Sequence, residues 1–193
     1  MNKIDSGNAQ LSLEKWDERH IDELSLIANN KNISGNMADR FPSPYTLDDA
    51  VAWIQEMKSD PQRHAWAIEF NAKLAGGISL IPRAGSLKHC SGIVYWLGEQ
   101  YWGLGLATES VRRALAFAFE VEQFVRVETT VFDWNLASIR VLEKCGFVRE
   151  GTLRASFLKD GRIVDRHLYA ALNIENKKRF EASNPAWASA FKR

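Results

Sequence analysis

The chain has 193 residues, 46% of them hydrophobic, and it balances 25 basic against 24 acidic side chains. This length and composition predict a single domain, residues 1–193, with one hydrophobic core. The near-neutral charge does not indicate binding to nucleic acid. No uncharged run is long enough to cross a bilayer, so we expect a cytoplasmic protein that binds neither nucleic acid nor a membrane.

Hydrophobic periodicity predicts both strands and helices along the chain. In chain order the expected elements are a strand at 11–13, a helix at 17–28, an irregular stretch at 29–45, a helix at 46–59, strands at 66–70, 74–81 and 93–97, a helix at 105–122, a strand at 125–132, a helix at 136–145, strands at 147–153 and 163–171, and a C-terminal helix. The three middle strands are joined by short turns, which predicts an antiparallel meander in an α/β (α+β) fold.

Gly103 and Gly105 stand between the strand that ends at Leu97 and the helix that follows. Free amides at a helix start favour a phosphate group, and a side chain at either glycine would hold that phosphate away. Taken alone, two glycines in a loop are more often an ordinary turn. A dinucleotide-binding fold, with Asp133 as ribose ligand, is a weaker alternative, because Thr108 stands where a third small residue is needed and βαβ repeats are absent.

Five short motifs carry the most specific signal in the chain. They are Tyr95-Trp96-Leu97, Tyr101-Trp102-Gly103-Leu104-Gly105-Leu106-Ala107-Thr108-Glu109, Asn135-Leu136-Ala137-Ser138, Val141-Leu142-Glu143-Lys144-Cys145-Gly146-Phe147 and Glu150-Gly151. In this order they resemble the GNAT family of N-acetyltransferases, and within it the branch like the ribosomal-protein acetylases RimJ and RimL. The resemblance covers residues 11–172 and leaves 173–193 as an extension. It implies a single GNAT-type domain with a mixed, mostly antiparallel central sheet, a splayed parallel pair of strands and flanking helices.

The resemblance implies acetyl-coenzyme A as cosubstrate, with pantetheine between the splayed strands and pyrophosphate on residues 102–107, which we call the cradle. The implied cofactor-binding residues are Trp96, Leu97, Trp102, Gly103, Leu104, Gly105, Leu106, Ala107, Thr108 and Asn135. Trp102 replaces the Gln or Arg found in much of the family, which removes a polar contact and leaves the amides. No metal is expected, because the four histidines lack the spacing of metal ligands.

Ser138 and Asn135 are the polar side chains that the resemblance brings to the reacting thioester. Ser138 would stabilise or protonate the departing thiolate, and Asn135 would order the cofactor. From the sequence alone, capping of the helix start is the simpler explanation of both side chains.

The base that would deprotonate the amine is poorly indicated. Many relatives carry a glutamate in the strand before the cradle, whereas residues 91–94 of this chain contain no acid. Glu128 on the next strand is the substitute that we expect, and a structural role is the alternative.

The acceptor is expected to enter over Phe41, Tyr45 and the loop after Leu153, although core packing explains the two aromatic residues slightly better. The resemblance implies a protein N-terminal α-amine that attacks directly in a ternary complex. A small amine, either a polyamine or an antibiotic, and a weakly catalytic acyl-CoA-binding sensor remain alternatives. An exposed C-terminal strand could pair two copies as a homodimer.

Overall fold

The computed structural model describes residues 11–59 and 64–183, so the predicted domain ends at 1–10 and 184–193 lie outside it. The strands are β1 Leu11–Lys15, β2 Ala65–Phe70, β3 Lys73–Pro82, β4 Cys90–Leu97, β5 Arg126–Phe132, β6 Val148–Lys159 and β7 Arg162–Leu172. The helices are α1 Ile21–Ala28, α2 Lys31–Ser34, α3 Leu47–Ser59, α4 Leu106–Ala116, α5 Leu136–Lys144 and α6 Ile174–Ala182. These seven strands form one sheet in the order β1-β2-β3-β4-β5-β7-β6, which confirms the expected mixed sheet flanked by helices.

Two elements differ from the sequence expectation. The single turn of α2 lies inside the stretch predicted as irregular, where Asn30 caps it by accepting a hydrogen bond from a backbone amide. β6 does not end at Leu153 but continues to Lys159, and β7 begins at Arg162. A register shift after Leu153, with Ala155 at a φ of 49°, interrupts the strand alternation that periodicity detects. The acceptor loop predicted after Leu153 is therefore a bulged strand.

β4 and β5 are parallel neighbours that separate along their length. The paired positions are Cys90 with Arg126, Ser91 with Val127, and Gly92 with Glu128. Beyond them, β4 stays paired with β3 as far as Leu97, while β5 stays paired with β7 as far as Phe132. A gap therefore opens between the carboxyl ends of β4 and β5, as expected for a splayed pair. Each of the two strands remains paired with its other neighbour.

The sheet separates two hydrophobic clusters. One includes the fully buried Leu142 and lies between the sheet and helices α4 and α5, on what we call the α4/α5 face. The other includes Leu24 and Ile54 and lies under α1 and α3, on the α1/α3 face. Neighbouring residues of a strand point to opposite faces, so Tyr95 packs with the first cluster and Trp96 with the second.

The last strand is not an edge of the sheet. β7 lies between β5 and β6, so the expectation that the C-terminal strand is an exposed edge is wrong, and β6 forms that edge instead. A homodimer stays a prediction. Within residues 11–59 and 64–183, none of the helices combines the length and the apolar character needed to span a bilayer. In the same residues, no three His, Cys, Asp or Glu side chains converge as metal ligands.

Candidate active site

A cavity of about 1650 Å³ occupies the gap between β4 and β5. Its walls include residues 94–97 of β4 and 129–132 of β5. The cavity reaches Gly103 and Ser138 on the α4/α5 face, and Phe41 and Tyr45 on the α1/α3 face. One continuous space therefore connects the cradle to the opposite side of the sheet.

The cradle is shaped by two glycines in the left-handed region. Gly103 has a φ of 78° and Gly105 a φ of 79°, values that L side chains rarely adopt. A Cβ built on either glycine would meet no heavy atom within 4 Å, so a side chain there would project into open space. Gly105 also begins α4 without a side chain to cap it, and the amides of the first turn stay available to an anion. This geometry fits a pyrophosphate group.

Trp102 fixes the cradle to the strand before it. Its indole Nε1 donates a hydrogen bond of 2.9 Å to the carbonyl oxygen of Leu97, the last residue of β4. Trp102, which stands where the resembling family often has Gln or Arg, therefore fixes the loop to the end of β4. The Leu97 carbonyl already has one donor, which leaves one lone pair for a ligand.

Three cations lie beside the cradle, and the sequence reasoning missed them. Arg140 and Lys144 of α5 line the main cavity, one helical turn apart. Arg112 and Lys144 line a second cavity of about 390 Å³ that also touches Leu104 and Gly105. Positive charge on both sides of the glycine loop favours a polyanionic ligand. Arg112 lies on the helix that follows the glycines, but Arg140 and Lys144 come beside the cradle only because α5 packs against α4.

Ser138 contacts Tyr95, which the sequence indicated only as part of a motif. The Tyr95 hydroxyl lies 2.8 Å from Ser138 Oγ, where either oxygen can be the donor, and 3.2 Å from the Ser138 carbonyl oxygen, which can only accept. Burial raises the pKa of Tyr95, while its hydrogen bond to Ser138 opposes that rise. Tyr95 therefore stays protonated at neutral pH. Two coupled hydroxyl groups face the cavity from β4 and α5.

Asn135 caps α5 and lines the cavity at the same time. Its Oδ1 accepts a hydrogen bond of 3.1 Å from the Ser138 amide, which is the capping role that the sequence favoured. The cap fixes the start of α5, and with it the position of Ser138. Capping and a place at the ligand site are compatible here.

Glu128 does not line the cavity, which differs from the role of base that we expected from the sequence. Its carboxylate oxygens accept hydrogen bonds from Arg126 Nε at 2.8 Å and from Arg83 Nη2 at 3.4 Å. β5 places it opposite Gly92, where the two parallel strands are still paired. Two guanidinium groups engage this carboxylate, so its geometry is that of the structural alternative.

Aromatic side chains form the wall on the α1/α3 face. The ring centroid of Phe41 lies 5.7 Å from that of Trp96 and 5.3 Å from that of Tyr45. Tyr45 is buried, and burial together with the nearby Asp49 raises its pKa to about 12. Phe41 and Tyr45 thus both pack and line the cavity, which unites the two interpretations that the sequence left open.

Most of the predicted site residues meet around the one cavity. Those that line it are Phe41, Tyr45, Trp96, Leu97, Trp102, Gly103, Gly105, Leu106, Ala107, Thr108, Asn135 and Ser138. Leu104 lines only the second cavity, and Glu128 lines neither. Arg166 of β7 also lines the main cavity, and its signal in the sequence was an arginine inside a strand, between the polar residues Asp165 and His167.

Known proteins resemble this chain in sequence and in fold. The probable N-acetyltransferase YjcK of Bacillus subtilis (strain 168) is 34% identical over 106 residues, which are 55% of this chain and only 59% of YjcK. The spermidine N(1)-acetyltransferase of Vibrio cholerae serotype O1 is 26% identical over 159 residues, 82% of this chain and 90% of that protein. The structure of RimL, a ribosomal L7/L12 alpha-N-protein acetyltransferase in complex with coenzyme A, has a TM-score of 0.77 at 20% identity, and covers 89% of this chain and 98% of that one.

A sequence model of one family matches most of the chain. This family is described as the acetyltransferase (GNAT) domain, and its model matches residues 10–148. The matched region contains β1 to β5, the cradle, α4 and α5. Because the match extends over well more than half of the chain and its motifs lie around one cavity, the chain belongs to the GNAT acetyltransferase family.

Proposed function

We propose that this protein is an N-acetyltransferase that moves the acetyl group of acetyl-coenzyme A to a primary amine. The observation that carries the proposal is the cavity through the gap between β4 and β5, which joins the cradle to the α1/α3 face. Acetyl-coenzyme A supplies the acetyl group as a thioester. Direct attack requires donor and acceptor to be present together, and entry from opposite faces allows that.

The cradle is the proposed site of the pyrophosphate. Amides of residues 103–108 at the start of α4 would bind its oxygens, and Arg140 and Lys144 would add positive charge. The space left by Gly103 and Gly105 allows the backbone to approach the ligand closely. Main-chain groups of Trp96 and Leu97 would then meet the pantetheine arm in the gap.

Tyr95 and Ser138 are the proposed proton donors. When the amine nitrogen bonds to the acetyl carbon and the carbon–sulfur bond breaks, the sulfur leaves as a thiolate that needs a proton. Ser138 Oγ can donate that proton and recover one from the Tyr95 hydroxyl 2.8 Å away, and the proton that the attacking nitrogen loses on forming the amide then restores Tyr95. Because burial raises the pKa of Tyr95, its hydroxyl group is protonated at neutral pH.

The amine is proposed to lose its proton to water rather than to Glu128. Both oxygens of Glu128 are engaged by arginines, and its side chain lies outside the cavity lining. The aromatic wall of Phe41, Tyr45 and Trp96 instead lowers the pKa of a bound ammonium by desolvation. Direct attack by a neutral amine then needs no carboxylate at the site.

A protein N-terminal α-amine is the acceptor that we favour. The similarity in fold to RimL, an alpha-N-protein acetyltransferase, and the motifs of its branch support this choice. A polyamine is the second candidate, because the spermidine N(1)-acetyltransferase of Vibrio cholerae aligns over 82% of this chain.

The test measures release of free coenzyme A thiol with peptides that begin with Ala, Ser or Met, with spermidine and with small amines. We expect turnover of at least one peptide, and we expect Ser138→Ala to lower kcat while the dissociation constant of coenzyme A stays nearly unchanged. Tight binding of acetyl-coenzyme A without turnover of any acceptor would identify a sensor instead. Unchanged turnover in Ser138→Ala would remove Ser138 from the mechanism.

A further inference from the structure

Arg166 lies on β7 at the open end of the gap, on the α1/α3 face. β7 pairs it with Phe132 of β5 and Leu153 of β6, and its side chain lines the main cavity. Its Nη1 donates a hydrogen bond of 3.0 Å to Thr130 Oγ1. Val131 packs on the α4/α5 face, so its neighbour Thr130 points to the α1/α3 face. Arg166 points the same way, because it donates to Thr130.

The guanidinium of Arg166 is held by neutral groups alone. Nε donates to Ser156 Oγ at 3.2 Å, and Nη2 donates to the Ser156 carbonyl at 3.1 Å. Its Cζ lies 4.6 Å from the centre of the Phe157 ring. An arginine has five N–H donors, and these contacts together with Thr130 use three of them. The side chain is fixed in place with donors to spare.

No carboxylate of the described residues forms an ion pair with Arg166. Asp165, its neighbour in sequence, points to the other face and accepts the Ala155 amide at 2.8 Å. Asp39 is paired with Lys159 at 2.9 Å. Burial lowers the pKa of Arg166, as expected for a cation that has lost water without gaining a counter-ion. A partly buried cation of this kind is available to an anionic ligand.

The bulge in β6 builds this arrangement. Ala155 takes a φ of 49°, and Asp165 stabilises that conformation by accepting its amide. The register shift that follows places Ser156 and Phe157 against Arg166, with Phe157 itself in the cavity wall. The strained backbone of Ala155 therefore helps to orient the side chain of Arg166 toward the cavity.

We propose that Arg166 binds a carboxylate of the acceptor, so that the protein acetylates amines that carry a negative charge close to the reacting nitrogen. This inference rests on the proposed function and narrows its substrate class. A guanidinium with two free donors matches the two oxygens of a carboxylate. The carboxylate could belong to an acidic residue next to a peptide N-terminus or to a free amino acid, and both present the same chemistry.

A polyamine is disfavoured by the same side chain. Spermidine carries only positive charge at neutral pH, and like charges repel most strongly where water is excluded. The partly buried guanidinium of Arg166 lies in the wall that such an acceptor would pass. Arg166 attracts the negative charge of an acidic acceptor and repels the positive charges of a polyamine.

The experiment compares kcat/KM for peptide pairs that begin Ser-Glu or Ser-Gln, for free amino acids and for spermidine. The unchanged protein should prefer the glutamate peptide, or a free amino acid over its amide, by roughly tenfold or more, since hydrogen bonds to charged groups contribute at this level. Arg166→Gln should abolish the preference, and Arg166→Lys should keep part of it. Arg162→Gln, at the exposed start of β7, removes the same charge outside the cavity and should keep the full preference.

Binding of the acetylated products to the coenzyme A complex provides a second measurement that needs no turnover. Arg166-dependent binding of the Glu product over the Gln product supports the carboxylate site even if every acceptor fails to react, which would count against the proposed function alone. Equal kcat/KM for the charged and neutral members of each pair in the unchanged protein overturns the inference. A preference that survives in Arg166→Gln, with normal coenzyme A affinity, also overturns it.

Discussion

Replacement of Gly105 with alanine tests whether the cradle binds pyrophosphate. Gly105 has a φ of 79°, where an L residue costs roughly 1–2 kcal/mol through its Cβ. No protein atom lies within 4 Å of the new methyl position, so this backbone cost is the whole expected loss in the free energy of unfolding. The methyl group would instead occupy the space proposed for phosphate oxygens and break one or more charge-assisted hydrogen bonds. Each is worth about 1.5–3 kcal/mol, so the dissociation constant of coenzyme A should rise about tenfold or more.

Gly161→Ala is the matched control for this change. Gly161 has a φ of 76° in the turn between β6 and β7, and a Cβ there also meets nothing within 4 Å. Urea unfolding should show a similar loss of stability in both variants, while isothermal titration calorimetry should show weaker coenzyme A binding only for Gly105→Ala. Equal coenzyme A affinity of the two variants would refute the assignment of the cradle.

Three further changes test the reaction site. Tyr95→Phe should lower kcat by about 10²-fold, at the low end for a positioned acid, with the coenzyme A dissociation constant unchanged, and a normal kcat would exclude the Tyr95 to Ser138 proton path. Glu128→Gln should leave kcat and its pH profile within about twofold; a loss of the alkaline-rising limb in stopped-flow assays would restore Glu128 as the base. Arg140→Gln should weaken coenzyme A and reduce the salt dependence of its binding, measured by calorimetry at two ionic strengths, and an unchanged salt dependence would contradict the charge argument.

Local features of the site could be predicted from the sequence because their cause is local. Gly103 and Gly105 adopt positive φ, which glycine tolerates best, and the helix after them follows from its own periodicity. Asn135 caps α5 through the amide of a residue three positions ahead, which is a short-range effect. Such features need no knowledge of the rest of the fold.

Side-chain partners distant in sequence could not be predicted in this way. Tyr95 and Ser138 meet only because β4 and α5 pack on the same face, 43 positions apart along the chain. Glu128 was misplaced because it lies opposite Gly92, where β4 and β5 are still paired, and this register joins two separate parts of the chain. The bulge at Ala155 depends on a carboxylate from the facing strand, so strand alternation could not reveal that β6 continues.

The two hydrophobic clusters on opposite faces of the sheet have no residue in common, so substitutions in one can accumulate while the packing of the other persists. Phe41 and Tyr45 pack with one cluster, whereas Leu106, at the start of α4, belongs to the other. In a lineage of such proteins, drift around the α1/α3 face could exchange one acceptor for another while descendants inherit the cradle intact. The sheet would then separate the part of the molecule that is free to diversify from the part that must be preserved.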